Sequence, residues 1–294
     1  MTKPLAVALM LLAGPVLAQS ESDYTVNSEW AKVPGGVWDG STSWITADGK
    51  GNIVVLVRTA PYFRMFKRDG TFVKAWGEAS IGTAHSLTID RQNNYWVSDS
   101  TGHQVWKFDA EGKVLLTLGT KGKAGDNTSR DLFNQPNHVA IGANGDIYVS
   151  DGYVNARVVQ FAPDGKFVRI IGGTKGKAPG ELDTPHGVAL DSKGRVLVND
   201  SGNARVSVFD EDGKFVEAWP YPSRGGIEVM ADDTVYVSDV NDGVINVSKG
   251  GKLIAKYLAP RAHGLGVDTD GSIFASGASR MTVMKIVQIS TLSK

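Results

Sequence analysis

The chain has 294 residues, with 31 Lys and Arg against 31 Asp and Glu, so its formal net charge is zero. That balance argues against a nucleic-acid binder, which needs a basic excess. There is no cysteine, so disulfides and thiolate metal ligands are unavailable, and any metal must sit on His, carboxylate or backbone oxygen.

The first residues read MTKPLAVALMLLAGPVLAQS. One Lys precedes an apolar run from Leu5 to Leu17, and the small residues Val16 and Ala18 stand before Gln19. This pattern predicts a secretory signal peptide over residues 1–18; the apolar run is too short to span a bilayer. The remainder, 19–294, is then a periplasmic or extracellular domain with no stable membrane insertion.

Past the leader the chain repeats itself. Units begin at Thr42, His85, Asn137, His186, Gly225 and His263, recurring every 38 to 52 residues. Each opens with a short apolar strand, followed by a Gly/Asn/Asp turn such as Asn144-Gly145. A second, alternating strand ends in Asp at Asp99, Asp151, Asp200 and Asp239. A polar turn leads to a third strand. A dipeptide such as Asp69-Gly70, Asp164-Gly165 or Asp212-Gly213, of the type that suits two-residue hairpins, leads to a fourth. Four antiparallel strands per unit make a propeller blade. The last unit has three strands, and YTVNSEWAKVP at 24–34 resembles the missing fourth. The expectation is an all-β, six-bladed β-propeller whose ring is closed by the N-terminal strand, which removes the free edges. The grammar of NARVVQFAPDGKFVRIIGG and PHGVALDSKGRVLVND resembles the NHL repeat.

The first strand of each blade lines the central channel. The position that opens it reads Thr42, His85, Asn137, His186, Gly225, His263, so three of the five histidines fall on alternate blades. Six-fold pseudosymmetry spaces them at roughly 120°, which makes a trigonal cup suited to a metal with an open fourth position. The plainer reading is that His is tolerated turn punctuation. His103 and His138 do not fit the ring and read as surface or packing residues. The turns between second and third strands share that face. There Arg58 replaces the repeat's Asp, as a surface ion or as a clamp for a carboxylate. Tyr153 stands in SDGYVNAR, as packing or as a proton donor or acceptor. Arg157 and Arg205 read as braces for the preceding Asp, with Arg205 also placed to reach a substrate.

HSLTIDRQNNYWVSDSTGHQVWKFD, FNQPNHVAI, VSDGYVNARVVQFAPDGKFV and PHGVAL resemble the catalytic core of the peptidyl-α-hydroxyglycine α-amidating lyases. That family releases an amide and glyoxylate from a C-terminal hydroxyglycine. The resemblance implies zinc on His85, His186 and His263, with Tyr153, Arg58 and Arg205 in the active site. It also implies a small-molecule or peptide C-terminal substrate. VWDG at 37–40 resembles a family segment in a shifted place. The family's disulfide cysteines are absent, Val154 following Tyr153. Its Met-Pro-His-Asp segment reads Arg261-Ala262-His263-Gly264 here, so calcium, which that Asp helps to hold, has lost a ligand. One alternative is a non-catalytic NHL propeller that binds a protein or envelope component. Another is a calcium-dependent lactonase, which needs an inward Glu/Asp/Asn cluster where this ring offers Asn137 alone.

Overall fold

A computed structural model describes residues 24–36, 38, 40–277 and 282–288. The expected leader, and half of the VWDG segment, lie outside the described residues. Six four-stranded antiparallel sheets each follow chain order, save that the sixth takes its outer strand from the N-terminus. The inner strands of blades 1 to 6 are Thr42–Ala47, Ala84–Ile89, His138–Ile141, Pro185–Leu190, Ile227–Val229 and Ala262–Val267. No helix among the described residues is long and apolar enough to cross a membrane.

Closure is made by Tyr24–Asn27, which pairs antiparallel with Val283–Gln288 from Tyr24↔Gln288 to Asn27↔Lys285. Side chains fasten this strand. Tyr24 is buried edge-on against Tyr257, with ring centroids 5.2 Å apart. Its hydroxyl accepts the Leu258 N–H at 3.0 Å. Trp30 wedges between Phe66 of blade 1 and Phe274 of blade 6. Without these contacts the ring would end in two unpaired edges.

The core lies between blades rather than inside one. Trp44, Leu56 and Phe63 of blade 1 pack on Leu87, Tyr95, Val97 and Phe108 of blade 2. At the centre of each second strand stand Val55, Val97, Val149, Val198, Val237 and Ala275, all fully buried. The outer hairpins differ from the expected two-residue form. At Ala162–Gly165 the Gly165 N–H closes onto the Ala162 carbonyl at 2.9 Å, and the ladder slips between Gln160 and Phe161. Only Gly165 takes positive φ, at 85°; Asp164 accepts the Lys166 N–H instead. This is the type I turn with a glycine bulge.

The Asp that ends the second strand positions the functional face. Asp99 accepts N–H groups from Gly82 and Thr83, in the loop entering its blade, and from Gly102 in its own turn. Asp151 accepts from Asn134, and Asp200 from Asp183, in the same way. In blades 2 to 4 one buried carboxylate per blade therefore ties an entry loop to the turn beside it, with charge-assisted bonds.

Candidate functional site

Four of the six inner strands begin with a skipped pairing. The register slips between Thr42 and Trp44, Ala84 and Ser86, Pro185 and Val188, and Ala262 and Gly264. A bulge frees its extra residue from the ladder and re-aims the side chain. The residues so freed are Ser43, His85, His186 and His263, and Asn137 and Gly225 take the same place in blades 3 and 5. The blade-1 member of the ring is thus Ser43, a correction of one residue from Thr42. Thr42 itself donates its hydroxyl to the Gly277 carbonyl at 3.0 Å. The same register puts Val57, not Arg58, at the position of the repeat's Asp. Arg58 stands one residue further, where other blades carry Ser100, Gly152, Ser201 and Val240.

The three imidazoles meet as the alternation predicts. His85, His186 and His263 are buried, and their ligand atoms all lie within 4.8 Å of one another. Each Nδ1–H donates to the backbone carbonyl of the next blade's ring residue. His85 reaches Asn137 at 2.7 Å, His186 reaches Gly225 at 3.1 Å, and His263 reaches Ser43 at 3.1 Å. A carbonyl only accepts, so the proton is fixed on Nδ1 and the Nε2 lone pair faces the axis. Burial is the first cause that keeps the rings neutral. It holds His186 at about 4 and His263 at about 3, and with the neighbouring imidazoles it holds His85 well below its ordinary value. The Nε2 atoms of His186 and His263 are 3.2 Å apart. Two ligands on a tetrahedral ion at 2.0–2.1 Å lie about 3.3 Å apart. Neutral imidazoles, oriented by carbonyls and closing on one point, fit such an ion.

Tyr153 covers the cup from blade 3. Its turn can pass there because residue 152 is glycine: a Cβ would stand 1.9 Å from the Pro185 carbonyl oxygen. The ring is partly exposed while the hydroxyl turns inward, 2.7 Å from His85 Nε2 and 3.5 Å from His186 Nε2. Burial raises its pKa, and the Arg58 charge opposes that rise. Arg58 Nε is buried with no hydrogen-bond partner among the described residues, and desolvation lowers the guanidinium's pKa. A half-buried guanidinium with a buried, unused donor is built to receive an acceptor. With His186 and His263 these two residues line a pocket of about 380 Å³, completed by Ser201, Arg224 and Val240.

Arg205 does not reach this pocket. Its Nε sits 2.7 Å from Asp200, and its terminal nitrogens donate to the Lys177 and Glu181 carbonyls. It is a brace, like Arg157 on Asp151. The guanidinium beside the site is Arg224, whose NH1 is 3.2 Å from Asp239. The sequence held a signal for it. Arg157 and Arg205 pair with their blade's Asp across strands two and three, but Asp239 faces Val244 there. The blade's acid therefore takes its cation from the inner side. At the position of Arg224 the other blades carry Thr42, Ala84, Pro136, Pro185 and Ala262.

Below the cup the channel is plugged. Trp44 stacks on His138 at 4.8 Å and meets His263 edge-on at 5.4 Å. His138 is thus a packing residue on the axis. His103 lies in a turn, where its Nδ1 accepts the Gln135 N–H at 3.1 Å. Gly264 has no room for a side chain, since a Cβ would stand 2.6 Å from the Trp44 Cα. The Asp on which calcium would depend cannot be restored without moving blade 1.

Residues 133–161 and 182–209 match the NHL repeat family. Human NHL repeat-containing protein 3 is 32% identical over 210 residues, 67% of this chain and 59% of that protein. A probable peptidyl-α-hydroxyglycine α-amidating lyase of Caenorhabditis elegans is 34% identical over 148 residues, 49% of this chain and 42% of the relative. The chain thus spans less than two thirds of these relatives' own length. A gluconolactonase of Xanthomonas campestris superposes with a TM-score of 0.67 over 91% of this chain and 92% of its own, at 15% identity, which is a likeness of fold alone. With its blades, ring and relatives together, the chain is an NHL-repeat six-bladed β-propeller homologous to the peptidyl-α-hydroxyglycine α-amidating lyases.

Proposed function

We propose that the chain is a secreted, zinc-dependent lyase that cleaves the C–N bond of an α-hydroxyglycine-type substrate to an amide and glyoxylate. One observation carries the reading: the imidazoles of His186 and His263, the Tyr153 phenol and a guanidinium whose Nε has no partner among the described residues line a single pocket, with His85 Nε2 2.7 Å from the phenol. His85, His186 and His263 would hold the zinc, which when bound supplies a Lewis acid that lowers the pKa of a substrate hydroxyl. Arg58 receives the substrate carboxylate in its fork and fixes the scissile carbon over the cup. Tyr153 Oη gives its proton to the nitrogen as the C–N bond breaks and takes the substrate hydroxyl proton in its place. The carbon keeps its oxygen as the aldehyde of glyoxylate, and the nitrogen leaves as the neutral amide. The buried imidazoles and the plug of Trp44 and His138 keep bulk water from the far side of the reacting carbon.

The likeness to NHL repeat-containing protein 3 favours a second reading, a propeller that binds a protein or envelope component without catalysis. Elemental analysis and a glyoxylate assay with N-benzoyl-α-hydroxyglycine separate the two. The lyase carries one zinc per chain and releases glyoxylate. Tyr153→Phe keeps the zinc and slows turnover by roughly 10²–10⁴-fold, the usual worth of a proton-transfer group. Full activity in Tyr153→Phe removes Tyr153 from the proton transfer; no activity in the zinc-loaded wild type ends the lyase reading.

A further inference from the structure

Val240 belongs to two hollows at once. It forms a wall of the pocket over the histidines. It also lines a larger cleft of about 600 Å³ that runs outward over blade 5 to Leu258, Pro260 and Arg261. Leu258, at the end of the strand Lys252–Leu258, is 47% exposed. Val240, Leu258 and Pro260 give the cleft a carbon surface. Asp242 and Arg261 stand on its walls with opposite charges, so the cleft favours neither an acidic nor a basic occupant.

The pocket dictates what can enter this cleft. A substrate with its hydroxyl over the three imidazoles and its carboxylate on Arg58 has one remaining arm, the acylated nitrogen. The remaining wall is Ser201, Arg224 and Val240. Beyond that wall, past Val240, lies the cleft. We propose that the cleft over Val240, Leu258 and Pro260 is the subsite for the acyl or peptidyl arm, and that it selects an apolar arm. The proposal rests on the lyase reading for the placement of the other two groups.

The test uses zinc-reconstituted protein and unreactive N-acylglycines, which lack the α-hydroxyl, measured by titration calorimetry. The probes are N-acetyl-, N-butanoyl- and N-hexanoylglycine. Each methylene that leaves water tightens binding by about two- to fourfold, so hexanoyl binds at least roughly tenfold tighter than acetyl. Leu258→Asp flattens this series while leaving N-acetylglycine unchanged. Ile254→Asp, on the same strand, 54% exposed and outside the cleft, leaves the series intact. A flat series in the wild type overturns the subsite, as does a failure of every N-acylglycine to bind. Glyoxylate release from the hydroxylated counterparts is scored separately. A flat series with release keeps the lyase and loses the cleft; a rising series without release keeps the cleft and loses the lyase.

Discussion

Blades 2, 4 and 6 and blades 1, 3 and 5 share one backbone and divide one task. At the ring position the even blades present His85, His186 and His263, while the odd blades present Ser43, Asn137 and Gly225. The even residues act through side chains that aim at the axis. The odd residues act through carbonyls that hold the neighbouring Nδ1–H. Their side chains serve elsewhere: Ser43 Oγ donates to the His85 carbonyl, and Asn137 Oδ1 accepts the Gly152 N–H that seats the Tyr153 turn. Gly225 has no room for a side chain, since a Cβ would lie 2.2 Å from Ser238 Oγ. A repeat can thus supply both three converging imidazoles and the carbonyls that orient them from a single ring position, by alternating what it writes there.

The sharpest break of that comparison pairs an even with an odd substitution. His186→Ala removes one of three ligands, so zinc is lost on dialysis and glyoxylate release falls to background. The fold survives, because the core lies between blades and holds no metal. Ser43→Ala keeps its carbonyl, so zinc and activity stay. It forfeits one buried hydrogen bond, worth about 1 kcal/mol. Zinc content and melting temperature of the two variants decide the matter; a zinc-retaining His186→Ala would mean that the trio is packing.

A second contrast lies between the neighbouring braces Arg205 and Arg224. Both answer a buried Asp, but one does so from outside the blade and the other from inside the pocket. Arg205→Gln leaves Asp200 buried without its cation, so it lowers the melting temperature and leaves kcat/KM of the folded fraction alone. Arg224→Lys keeps a charge near Asp239 but loses the fork that faces the substrate. It lowers kcat/KM by roughly 10–100-fold, the worth of a hydrogen bond to a charged group. The reverse pattern would restore Arg205 to the site.

Much of this was legible beforehand because the repeat is literal. The six units, a closing N-terminal strand (expected over 24–34, paired over Tyr24–Asn27), and the three histidines on alternate blades follow from counting. The misplacements have one cause. Thr42 in place of Ser43, and Arg58 at the Asp position, are errors of count: the ring residue and the Asp position stand 14 residues apart from His85 to Asp99, and the same spacing in blade 1 sets Ser43 against Val57. The lyase resemblance places Arg205 in the active site, whereas its repeat motif reads as a brace, and the motif is the better guide: Arg205 pairs with Asp200 as Arg157 pairs with Asp151. Arg224 was missed because its signal is a gap elsewhere: Val244 stands where the repeat's Arg belongs. The Trp44–His138 plug depends on rings from two blades meeting on the axis, which no local pattern records.

One position breaks the alternation. Three residues past the ring the blades carry Thr46, Thr88, Ala140, Ala189, Glu228 and Gly266, so blade 5 alone puts an acid into the channel. Glu228 lines a small hollow with Thr88 and His138 on the far side of the plug. Burial alone pushes its carboxyl up to about 8. Between the ordinary glutamate range and that value the native chain holds a proton that the unfolded chain has released. Stability therefore falls as pH rises through the window. Glu228→Gln removes this dependence. With chelator present, so that metal binding does not contribute, variant and wild type melt together near pH 4. They separate as pH rises, the variant gaining on the order of 5 °C above pH 8. A gap that does not widen between pH 4 and pH 9 would mean that the carboxyl reaches water through the channel's far mouth. The plug would then separate a metal cup from an open vestibule rather than from a dry one.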